Sequence, residues 1–120
     1  MKRICTLASG LALCVLVSPL ALAHARLVSA DPPVNGAAKT PPHSIDLHFS
    51  EEISGKLSGV TVRGADGRIL STMTMLSKDG KQLTVMLKQP LGAGTYMVEW
   101  HAVASDDGHR TSGTYKITVS

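Results

Sequence analysis

Ser44-Ile45-Asp46-Leu47-His48-Phe49-Ser50 alternates apolar and polar residues along its whole length. Successive side chains of an extended strand point to opposite faces. Ile45, Leu47 and Phe49 therefore share one face, and Asp46, His48 and Ser50 the other. That is the pattern of a strand with one buried and one solvated side. The same period returns further along the chain. Residues 82–88 place Leu83, Val85 and Leu87 together, and residues 95–104 do the same with Tyr96, Val98, Trp100 and Ala102. Residues 113–119 align Tyr115, Ile117 and Val119.

Shorter candidates lie at residues 26–29, 59–63 and 68–75. Ala65-Asp66-Gly67 and Lys78-Asp79-Gly80-Lys81 are turn signals between them, and Pro90 to Gly94 breaks the pattern again. Residues 31–42, rich in Pro, Gly and Ala, read as a loop. No run after residue 23 shows a helical 3.6-residue period. About seven short strands at roughly 8–12-residue spacing predict an all-β sandwich or barrel, with no internal repeat and no interdomain linker.

The other end of the chain has a different character. Lys2 and Arg3 precede a largely apolar stretch at residues 4–22, and Ala21-Leu22-Ala23 closes it with a small-x-small motif. This is the layout of a secretory signal peptide cleaved before His24. Gly10 and Pro19 weaken the alternative of a retained anchor, as does a length near the lower limit for a span. Cys14 follows Leu13 rather than the small residue expected of a lipid-attachment site. Two segments are thus expected: a signal peptide over residues 1–23, and one exported domain over 24–120 with no membrane insertion.

Export removes both cysteines, Cys5 and Cys14, so the domain has no thiol for a disulfide or a metal. The formal charge of +3 is largely a property of the leader. Without Lys2 and Arg3, the 12 basic residues fall to 10 against 9 acidic ones, scattered without a run. Nucleic acid and anionic membrane are poor partners for such a surface. There is no Gly-rich phosphate loop and no hydrolase triad spacing.

Two features carry chemistry. A histidine at a free N-terminus offers an α-amine, of pKa near roughly 8, beside its imidazole. Amine nitrogen and ring Nδ1 can then chelate one ion, and such a nitrogen-rich set suits Cu(II). Asp106-Asp107-Gly108-His109 offers a second pair. In an extended backbone, Asp107 and His109 would project to one side, and Gly108 lets the backbone turn tightly between them. Carboxylate oxygen and neutral imidazole would add to the donors of His24. Taken separately, each has an ordinary reading: a peptidase that happened to cut before a histidine, and a polar turn. His43, His48 and His101 read as solvated or hydrogen-bonded histidines.

The order of motifs joins the two features. His24-Ala25-Arg26-Leu27-Val28-Ser29 with Asp31-Pro32-Pro33 resembles the start of mature CopC-type periplasmic copper-binding proteins. Leu47-His48-Phe49-Ser50-Glu51, Gly94-Thr95-Tyr96 with Val98-Glu99-Trp100, Val103-Ala104-Ser105-Asp106-Asp107-Gly108-His109 and Gly113-Thr114-Tyr115 continue the resemblance in order. It implies an Ig-like Greek-key sandwich or barrel holding one Cu(II) per mature chain. By position, the ligands would be His24, Asp107 and His109, with Glu51 as an outer or weak contributor. A periplasmic, monomeric copper buffer or carrier is implied, and a partner such as an inner-membrane copper transporter of the CopD type.

Some members of that family add a Cu(I) site in a Met-rich loop with a histidine. The corresponding region here offers only Met73 and Met75 and no histidine between Gly59 and Leu87, so a Cu(II)-only protein is expected. Two other functions compete. A histidine-brace oxidative enzyme would need aromatic surface for its polymer, and the chain has one Trp, two Tyr and one Phe. A metal-free sandwich that binds protein would leave His24 without a role.

Overall fold

The computed structural model describes residues 24–120, so the expected signal peptide and both cysteines lie outside the described residues. Eight strands run in chain order: β1 (Leu27–Asp31), β2 (Ala37–Ala38), β3 (Ser44–Phe49), β4 (Gly59–Arg63), β5 (Thr72–Leu76), β6 (Gln82–Leu87), β7 (Gly94–Val103) and β8 (Arg110–Val119). They form two four-stranded sheets, ordered β1-β3-β6-β5 and β2-β8-β7-β4. The chain crosses between the sheets after β1, β2, β3, β4 and β6, in the manner of a Greek-key sandwich. Among the described residues no helix is long and apolar enough to cross a membrane.

The alternation read from the sequence becomes the core. Ile45, Leu47 and Phe49 of β3 meet Leu83 and Val85 of β6 from one side, and Val98, Ala102, Tyr115, Ile117 and Val119 of β7 and β8 from the other. All are buried. The inward faces of the two sheets form one core between them. Trp100 and Tyr96 are half-buried and pack against this core rather than within it. The Trp100 ring meets Phe49 edge-on, with centroids 5.4 Å apart.

The structure differs from the sequence reading in three places. The supposed loop at residues 31–42 contains β2, which pairs parallel with the end of β8 through Ala37 and Ala38. Asn35 Oδ1 also accepts a hydrogen bond from Lys116 N at 3.0 Å. This segment therefore covers an edge of β8 that would otherwise be open. The stretch 68–75 is divided. Leu70 N donates to Val62 O beside β4, and only Thr72–Leu76 joins the other sheet. Lastly, β8 begins at Arg110, three positions earlier than the alternation suggested.

Opposite Trp100 on β8 stands Gly113. A Cβ there would lie 2.9 Å from the indole Cζ2 and Nε1, closer than packed atoms tolerate, so the ring can lie flat only over a glycine. Gly113→Ala is expected to displace the indole and destabilise the fold by about 1–3 kcal/mol. Chemical unfolding followed by Trp100 fluorescence checks it; unchanged stability and an unchanged emission maximum would contradict this packing.

Candidate metal centre

The turn joining β7 to β8 is built by the backbone first. Ala104 N donates to His109 O at 2.9 Å, and Gly108 N to Ala104 O at 3.0 Å. Gly108 takes φ 72°, a left-handed conformation that favours glycine. Ser105 N donates to Glu52 O, and Ile53 bridges Ala104. The segment after β3 thus braces the turn. Asp107 and His109 come together through this turn, not through the extended i, i+2 geometry expected from the sequence.

Asp107 uses both carboxylate oxygens on His109. Oδ1 accepts the backbone N–H at 3.0 Å, and Oδ2 lies 2.9 Å from ring Nδ1. These hydrogen bonds, the backbone one foremost, hold the Asp107 pKa below the ordinary 3.8. A hydrogen bond to a charged form favours that form. With Nδ1 facing a carboxylate, the ring is fixed in orientation. Asp107 and His109 side chains retain 34% and 57% of their exposure, so the pair is open to an incoming ion.

His24 arrives from the far end of the described chain. Ala25, its neighbour, is fully buried and anchors the segment before β1. The His24 and His109 rings stack, with centroids 4.2 Å apart and planes 24° from parallel. One donor atom each from His24, Asp107 and His109 falls within 4.8 Å of the other two. Two imidazole nitrogens and a carboxylate oxygen fit Cu(II) by donor chemistry, whereas Cu(I) favours the thiolate and thioether ligands this cluster lacks.

The remaining candidates stay apart. Glu51 follows Ser50, which bonds the segment after His24, but its carboxylate is not a member of the three-residue group. Met73 and Met75 are exposed at 67% and 53% on β5, and Met86 of β6 stands opposite Met73. Met73 and Met75 occupy the other edge of the sheet from β1. His48 lies on the outer face of β3, opposite Gln82. His101 rests over Gly59, and His43 is exposed in the loop before β3.

Comparison with known proteins agrees with this architecture. The family model described as CopC domain matches residues 27–120, a span that starts just after His24. Protein YobA of Escherichia coli strain K12 is 39% identical over 106 residues, covering 87% of this chain and 85% of that protein. The Copper transport protein CutJ of Bacillus subtilis is 30% identical over 107 residues, covering 88% of this chain but only 20% of CutJ. Among solved structures, PcoC, a methionine-rich copper resistance protein from Escherichia coli, superposes with a TM-score of 0.73 at 34% identity. That match covers 82% of this chain and all of PcoC. The chain belongs to the CopC family, whose relatives are named as copper-resistance and copper-transport proteins rather than enzymes.

A carboxylate whose folded pKa is lowered contributes stability above its unfolded pKa, about 3.9. The contribution disappears as pH falls through the lowered folded value. In metal-free protein, the Asp107 carboxyl carbon followed by NMR should titrate with a midpoint below 3.8. His109→Ala should move that midpoint up. A midpoint at or above 3.8 in the unaltered protein would show that the Asp107–His109 contacts do not form in solution.

Proposed function

We propose that this member of the CopC family is an exported Cu(II)-binding protein that buffers or delivers copper in the periplasm, one ion per chain. Its site is His24, Asp107 and His109, with Glu51 in an outer position. Cleavage after Ala23 frees the α-amine of His24. That amine and ring Nδ1 form one chelate, and Asp107 and His109 complete a nitrogen-rich set suited to Cu(II). The observation that carries the reading is the meeting of one donor atom from each of these residues within 4.8 Å, across 85 positions of sequence between His24 and His109.

Partial exposure of the pair favours exchange of the ion over permanent storage. In CutJ, a segment similar to this chain makes up a fifth of a copper transport protein. That joining supports a role in handing copper on, here from a monomer to a separate partner such as an inner-membrane copper transporter of the CopD type. Met73 and Met75 have no histidine beside them in sequence, and the function assigned to this chain uses Cu(II) alone.

The test uses protein beginning at His24 and the same protein with one added N-terminal residue. Titration with Cu(II), followed by EPR, is expected to give one tight tetragonal nitrogen-rich signal at one equivalent in the first. The second should lose it, because its residue 24 nitrogen is an amide. Acidification should release the ion from the first, since its nitrogen donors must be unprotonated to bind. Identical affinities and spectra in the two proteins would remove His24 from the centre.

A further inference from the structure

Holding a metal with the first residue of a chain poses a physical problem, because chain ends fray. The segment after His24 answers it at a single peptide group. The carbonyl of Ala25 accepts a hydrogen bond from Thr111 Oγ1 at 2.9 Å. The N–H of Arg26, the other half of that peptide unit, donates to Ser50 Oγ at 2.9 Å. Ser50 N donates back to Arg26 O, also at 2.9 Å. One planar amide is therefore gripped at both ends, by β8 of one sheet and by the residue after β3 of the other. The Ala25 methyl is buried beside it.

We infer that Thr111 and Ser50 are positioning residues for the metal centre, clamping the Ala25–Arg26 peptide so that His24 is held over His109 before the ion arrives. The inference rests on the copper reading above and concerns how its site is preorganised. Thr111 stands two residues beyond His109 on the same strand end, so its hydroxyl fixes both histidines to one reference. Once that peptide plane is set, His24 can move only through the torsions of Ala25 and its own. Order present before binding lowers the entropy that binding must supply. Thr111 and Ser50 touch no metal in this account.

The experiment measures Cu(II) affinity by competition, with EPR, in protein beginning at His24. Thr111→Val keeps the shape and removes the donor. It is expected to weaken Cu(II) binding by about tenfold or more, the scale of outer-contact losses at metal sites, and to broaden the EPR signal. Thr111→Ser should restore both. Ser50→Ala should act in the same direction, which keeps the test open if Thr111→Val folds poorly. Thr84→Val serves as a control. It removes a comparable hydroxyl bond, to Asp46 at 2.9 Å, away from the segment, and should leave binding unchanged. Native affinity and spectrum in both Thr111→Val and Ser50→Ala, with His24→Ala still abolishing the site, would overturn the clamp and leave the copper reading standing. Native binding in His24→Ala would overturn the copper reading, and the clamp with it.

Discussion

The pairing of β7 with β8 sets the position of almost everything else. It runs unbroken from Gly94 opposite Val119 to Val103 opposite Arg110. Its inner face supplies Val98, Ala102, Tyr115, Ile117 and Val119 to the core. Its closed end is the turn that carries Asp107 and His109. A shift of one residue would turn the apolar set to solvent and move Thr111 away from Ala25. The fit of the Trp100 indole over Gly113 pins that register from within, since only one position of β8 lacks a side chain where the ring lies. The packing of the core and the placement of Asp107 and His109 therefore depend on the same alignment.

The centre itself is small and sits at the surface. Rigidity comes from the elements that converge on it: the β7–β8 turn, the segment after β3 that braces the turn, and the buried Ala25. Asp107 spends both its oxygens on His109, so the turn is shaped before any ion is present. A site assembled this way can be exposed without being loose. Its relatives are named for copper resistance and copper transport, and this exposure leaves the Asp107–His109 pair reachable from solvent.

The core was legible because β3, β6, β7 and β8 each bury one face, and burial of one face writes a period of two into the sequence. The β2 strand left no such mark. Two alanines paired parallel to a neighbouring edge need no alternation. The β5 strand was legible as a strand but not as an edge, and Met73 and Met75 show why: an outer face at a sheet edge places few demands on its residues. His24, Asp107 and His109 were nominated from donor chemistry and family resemblance. Their meeting in space follows from topology, which spacing does not encode. Thr111 was missed altogether, since a threonine in a strand carries no signal that its hydroxyl reaches a residue 86 positions away.

The central claim is that one copper ion sits among His24, Asp107 and His109 in protein that begins at His24. A crystal structure of that protein loaded with Cu(II), with anomalous data at the copper edge, tests it most directly. The account requires a single strong anomalous peak within bonding distance of the His24 amine and ring and of His109, with Asp107 in contact. A peak beside Met73, Met75 and Met86, or none near His24, would contradict it.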